Sequence, residues 1–234
     1  AYRTLRYDLF GRGGSDRSDA FDYDQATYAR QIDELLAALK IDGPIYLIGP
    51  SLGGGISAYW AAAHPGRVRA LSLHASAGYA PASEPIVSLL KVPVLGRYLF
   101  WLQQDRLTLG RVGAHFATPQ ESAVDLVQDG IRRSALFKGY REALFRTITN
   151  FGATNLEPTF TRLAATAVPV QILWGKEDQI LSVDGAQKIN AWLGGRAEVA
   201  LLPNVGHMAM LEAGDRSIPL VLKFFVSTRK DPAQ

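Results

Sequence analysis

The chain has 234 residues, with 25 Lys and Arg against 22 Asp and Glu, a net charge of +3 and no cysteine. The missing cysteines exclude disulfides, thiolate chemistry and cysteine-bound zinc, and four scattered histidines have no metal-ligand spacing. The tightest basic groups are Arg67/Arg69, Arg132/Arg133 and Lys138/Arg141, too dispersed for a nucleic-acid stripe, and no apolar run reaches the roughly 18 residues of a membrane span.

Residues 2–9 predict a short strand with Asp8 near its end. The glycine-rich stretch 11–16 follows; it lacks the Gly-Lys-Ser/Thr ending of a phosphate cradle. Between Asp24 and Lys40, Ile32, Leu35, Leu36 and Leu39 recur at steps of three and four, which predicts a helix stopped by Gly43-Pro44. Residues 45–48 then predict a strand, 52–63 a helix ended by His64-Pro65-Gly66, and 68–74 another strand. This alternation specifies an α/β fold, a mostly parallel sheet with helices on both faces.

Residues 79–166 break the rhythm. The stretch 86–102 is strongly apolar, interrupted by Pro93 and Gly96, and helical patterns follow at 119–129, 130–137, 139–149 and 156–165. An all-helical insertion of this kind packs on the main body, and part of it is suited to roof an apolar substrate pocket. The alternation resumes with a strand at 168–174, a helix at 182–192, a strand at 197–202 and a closing helix at 218–226. The expected organisation is a first core part at 1–78, a helical lid insertion at 79–166 and a second core part at 167–234.

The strand at 45–48 runs into Gly49-Pro50-Ser51-Leu52-Gly53-Gly54 and out into a helix. A serine on such a sharp turn is exposed and able to attack a carbonyl, and Gly49 and Gly53 are expected to give the turn the space it needs. The hydroxyl requires a histidine to take its proton and a carboxylate to hold that histidine's tautomer. In a parallel sheet these partners sit after later strands, in the order serine, acid, histidine. Asp178 follows the strand ending at Trp174, with Glu177 as its neighbouring rival, and His207 follows the strand at 197–202, with Gly206 expected to let the loop turn beneath the ring. The backbone N–H of Leu52 is the expected oxyanion donor. Of the other histidines, His64 sits at a helix C-terminus where an imidazole suits the dipole, His74 lies too early for the chain order, and His115, in the insertion, is at most a substrate contact.

These motifs together resemble the α/β-hydrolase fold superfamily, in particular its lidded serine esterases, lipases and meta-cleavage C–C hydrolases. Residues 8–16 look like the loop after its fourth strand, 49–54 like its nucleophile elbow, 174–178 like its acid loop, and Gly206-His207, with Glu212 five residues on, like its histidine loop. The resemblance implies that Ser51, Asp178 and His207 form a catalytic triad. With the apolar run 86–102 supporting a small to medium, largely apolar acyl pocket under the lid, the expected substrate is a small-molecule ester with an apolar acyl group, and no cofactor or metal is expected. Ser51 separates the chain from relatives with an aspartate nucleophile, and Pro50 stands where the family often has His, Asn or Gln.

Only ten residues precede Gly11, whereas the family places three strands, a helix and a His-Gly loop carrying a second oxyanion N–H there. The expectation is that an N-terminal fragment of a longer polypeptide, or a swapped protomer, completes the sheet; the remaining alternative is a fold rearranged around the gap. Alternatives to ester hydrolysis are C–C bond hydrolysis, with Arg106, Arg111, Arg132 or Arg133 gripping a substrate carboxylate, acyl or perhydrolytic transfer by the same triad, and a catalytically inert binding protein. No secretory leader is visible, and the cytoplasm is the default location.

Overall fold

A computed structural model describes residues 2–79, 89–90, 92, 94–152 and 155–229. Among the described residues four strands, β1 (Ile45–Pro50), β2 (Val68–His74), β3 (Val170–Gly175) and β4 (Glu198–Leu202), form one all-parallel sheet in that order. The helices whose full range lies among the described residues are, in chain order, α1 (Gln25–Ala38), α2 (Leu52–Ala63), α3 (Leu95–Thr108), α4 (Glu121–Ala135), α5 (Tyr140–Thr147), α6 (Glu157–Ala164), α7 (Asp184–Trp192), α8 (Ala209–Glu212) and α9 (Gly214–Ser227).

Side chains alternate across a strand, so each sheet face collects its own core. Leu71 and Leu73 of β2 and Ile172 and Trp174 of β3 point to one side, where Tyr28 and Ile32 of α1, Ile56 and Trp60 of α2, Phe160 of α6 and Ile189 of α7 bury them. Ala70, Leu173 and Leu202 face the other side and meet Val221, Phe224 and Phe225 of α9. Each fully buried Leu or Ile contributes about 1.5–3 kcal/mol relative to exposure. At the start of α1 the Asp24 carboxylate accepts the Thr27 N–H at 2.8 Å, and Trp60 of α2 donates its indole N–H to Asp33 of α1 at 2.8 Å.

Residues 2–9 are not a strand. Extended backbone needs a neighbour to receive its N–H and C=O groups, and these residues have no ladder partner among the described residues. Their start is held by side chains instead, with the Tyr2 ring centroid 5.5 Å from Tyr46 and 6.3 Å from Phe225. Among the described residues β1 consequently forms one edge of the sheet, and its Ile48 is 45% exposed.

Between β2 and β3 the described residues are helical or irregular. The patterns at 119–129 and 130–137 merge into the single helix α4, because one interior glycine, Gly130, costs only about 1 kcal/mol. α3 continues through Gly96, where a side chain has no room: a Cβ would lie 2.0 Å from the Leu90 carbonyl oxygen. Ile86, Val87 and Pro93 of the apolar stretch lie outside the described residues. Of the remainder, Leu90 and Phe100 are buried, whereas Tyr98, Trp101 and Leu102 face solvent. α9 begins four residues before the expected start, with Pro219 inside it.

Candidate active site

Because the strands are parallel, the loops after β1, β3 and β4 all leave from one edge of the sheet, and they carry Ser51, Asp178 and His207 respectively. Ser51 caps α2 with φ 50° and ψ −120°, a conformation that costs a non-glycine residue about 1–3 kcal/mol. Three backbone bonds hold it there. Its N–H donates to the His74 carbonyl at 2.8 Å, and its own carbonyl accepts from Gly54 and from Ala77, both at 2.9 Å. Leu52 is the first residue of α2, so its N–H has no intrahelical acceptor and sits at the positive end of the helix dipole.

The turn's demand for glycine falls on Gly49 and Gly54, not on Gly49 and Gly53. A Cβ on Gly49 would lie 2.6 Å from the Gly53 carbonyl oxygen, and one on Gly54 would lie 2.3 Å from Ser76 Oγ. One on Gly53 would meet only Pro50 Cδ at 3.4 Å, ordinary contact, because residue 53 faces out of the packed side of the elbow.

Asp178, not Glu177, meets the histidine. Asp178 Oδ2 accepts from His207 Nδ1 at 2.8 Å, and the two side chains are 0% and 4% exposed. Asp178 Oδ1 accepts the N–H groups of Ile180 at 2.8 Å and Leu181 at 2.9 Å, which fixes the carboxylate plane. Glu177 turns away and accepts the Val205 N–H at 3.1 Å. With Nδ1–H donated to Asp178, the neutral ring presents Nε2 as its acceptor. Among the described residues no hydrogen bond joins Ser51 to His207; Asp178–His207 is the bonded pair. No group of His, Asp and Glu suited to a metal ion occurs among the described residues.

Gly206 has a different role from the one expected. A Cβ there would lie 2.7 Å from the Ala117 nitrogen and 2.8 Å from the His115 carbonyl oxygen, so the glycine admits the backbone of residues 115–117 against the histidine loop. The His115 ring meets the His207 ring edge-on, centroids 5.4 Å apart, and burial first, then the neighbouring His207, pushes the His115 pKa down to about 4. His74 is also buried, with its pKa pushed down to about 4 by burial. Ser72 Oγ donates to Gln171 Oε1 at 2.9 Å, so His74 Nε2 must be the donor in its 2.9 Å bond to Ser72. That leaves His74 Nδ1 buried without a partner, and a proton there would have nothing to bond. His64 lies at the exposed end of α2, stacked on Trp60.

The four arginines considered for a substrate carboxylate, Arg106, Arg111, Arg132 and Arg133, are all exposed, and Arg132 bonds Gln128 and Asp129. A cleft of about 800 Å³ lies between α3 and α5, lined among others by Tyr98, Trp101 and Phe145, and none of Ser51, Asp178 and His207 lines it.

The sequence signature of the alpha/beta hydrolase fold matches residues 1–214. The chain belongs to the α/β-hydrolase fold family. Among curated relatives, monoacylglycerol lipase abhd6-B of Xenopus laevis is 27% identical over 232 residues, covering 94% of this chain and 66% of the relative. Lipase 1 of Psychrobacter immobilis is 28% identical over 228 residues, covering 92% and 66%. Among solved structures, a bacterial membrane phospholipase A described as a virulence factor aligns with a TM-score of 0.72 at 25% identity, covering 95% of this chain and 69% of that one. An esterase from Exiguobacterium antarcticum aligns with a TM-score of 0.76 at 20% identity, covering 94% and 80%, and shows the fold alone. The chain thus spans 66% of the length of the curated relatives named here.

Proposed function

We propose that the chain carries the catalytic core of a carboxylic-ester hydrolase acting through an acyl-enzyme on Ser51. The observation that carries the reading is the buried 2.8 Å Asp178–His207 pair on the same sheet edge as a serine held at positive φ. In this reading His207 Nε2 takes the Ser51 proton as Oγ attacks the ester carbonyl. Asp178 holds the imidazole tautomer and stabilises the imidazolium that forms. The Leu52 N–H donates to the tetrahedral oxyanion. His207 then protonates the leaving alcohol, and water hydrolyses the acyl-enzyme by the same route in reverse.

Esters with an apolar acyl group are the substrate class, and glycerol monoesters are the first to test, since monoacylglycerol lipases and lipases are among the relatives. Residues 79–166 roof the acyl group in this proposal; the packing of residues 115–117 on the histidine loop supports that placement. A segment outside residues 1–234, or a partner protomer, adds a strand beside the open edge of β1 and supplies a second oxyanion N–H. The exposed Ile48 supports this part.

The test is turnover of p-nitrophenyl acyl esters and a monoacylglycerol by the protein and by Ser51→Ala. The variant loses ester hydrolysis while keeping its circular dichroism and melting temperature. Retained turnover in Ser51→Ala excludes the mechanism.

A further inference from the structure

The Glu212 carboxylate bridges two segments far apart in sequence. Oε2 accepts the N–H of Gly206 at 2.6 Å, and Oε1 accepts the N–H of Thr118 at 2.9 Å. Gly206 directly precedes His207, and Thr118 lies just past His115 in the helical segment between β2 and β3. A second link runs parallel to this bridge, with the Met208 N–H donating to the His115 carbonyl at 3.1 Å. The histidine loop is therefore held on both sides of His207 by the backbone at 115–118, with no room for a Cβ at Gly206 between them. Bonds from an ionised acceptor to backbone N–H are among the stronger ones, and this carboxylate uses both oxygens.

We propose that Glu212 is a positioning residue that ties the placement of His207 to the helical segment between β2 and β3. The proposal rests on the ester-hydrolase reading for its kinetic consequence, but the bridge itself is testable without it. A displacement of residues 115–118 pulls on Gly206 through Glu212 and on Met208 through the His115 carbonyl. His207 lies between these two attachment points, so its ring follows. The Asp178–His207 bond alone does not fix the ring against such a shift, since an imidazole can pivot about it.

Glutamine at position 212 keeps the side-chain length but replaces one oxygen by an amide N–H₂, so one of the two N–H groups, each bonded to its own oxygen of Glu212, faces a donor instead of an acceptor. The experiment compares the protein with Glu212→Gln by steady-state kinetics on an acyl ester and by amide hydrogen exchange. The expected result is a kcat lowered about tenfold or more with KM within about twofold, since a misplaced base costs the transition state rather than binding. The amides of Gly206 and Thr118 lose protection in the variant while the β2 and β3 amides keep theirs. Unchanged kcat overturns the positioning role, and so does a lowered kcat with both amides still protected. Should Glu212→Gln not fold, the exchange of the unmodified protein decides. Gly206 and Thr118 opening with one common protection factor supports the bridge, and Thr118 exchanging freely while Gly206 stays protected overturns it. If the protein hydrolyses no ester at all, the function proposal fails, and the exchange result still judges the bridge.

Discussion

His207 Nδ1 and Asp178 Oδ2 are 2.8 Å apart, and the Asp178 carboxylate is held from behind by the N–H groups of Ile180 and Leu181. Three donors on one carboxylate leave it no freedom to rotate, so the imidazole receives a fixed partner. Asp178→Asn keeps the shape, and with its oxygen still receiving the Ile180 and Leu181 N–H groups its amide N–H₂ faces Nδ1, selecting the wrong tautomer. We predict a fall in kcat for acyl esters of about three to four orders of magnitude. Glu177→Gln, at a carboxylate that accepts the Val205 N–H and does not meet His207, stays within about tenfold. Equal losses in the two variants would contradict this assignment.

The elbow predicts a contrast among neighbouring glycines. Gly49→Ala and Gly54→Ala push a methyl into atoms 2.6 Å and 2.3 Å away, and each is expected to destabilise the fold by about 1–3 kcal/mol or more. Gly53→Ala meets ordinary contact inside the first turn of α2, where alanine is the better helix former. Its midpoint of urea unfolding is expected to match or exceed that of the unmodified protein.

His74 predicts how stability depends on pH. Its folded pKa, about 4, lies below the ordinary histidine value of 6.5, so between these values the unfolded chain binds the proton and the folded chain does not. The contribution is fully present above pH 6.5 and is lost as pH falls toward 4, reaching about 3 kcal/mol there. His74→Leu removes the titrating group, and its urea midpoint is expected to fall less between pH 6.5 and pH 4. A parallel pH dependence in protein and variant would show that His74 does not titrate this way.

Local signals made much of this legible. The periodicity of Ile32, Leu35, Leu36 and Leu39, and the strand-to-helix switch at Ser51, depend on neighbours in sequence, and α1, β1 and α2 follow them closely. What local signals missed or left to be decided depends on partners distant in the chain. Residues 2–9 have strand-like composition, but a strand exists only with a ladder neighbour. Glu177 and Asp178 are adjacent acids after the same strand, and only the path of the loop decides which reaches His207. Gly53 and Gly54 cannot be ranked without Ser76, which packs against only one of them. Glu212 stands near His207 in the sequence, but its second acceptor oxygen serves an amide 94 residues away.

The most direct test of the central claim is intact-protein mass spectrometry after exposure to a fluorophosphonate, run under denaturing conditions and followed by peptide mapping. A single phosphonyl adduct on Ser51 is expected, absent in Ser51→Ala and slowed about 100-fold or more in His207→Ala, where the serine loses its base. Absence of an adduct on the folded protein, or an adduct on a different residue that persists in Ser51→Ala, would contradict it.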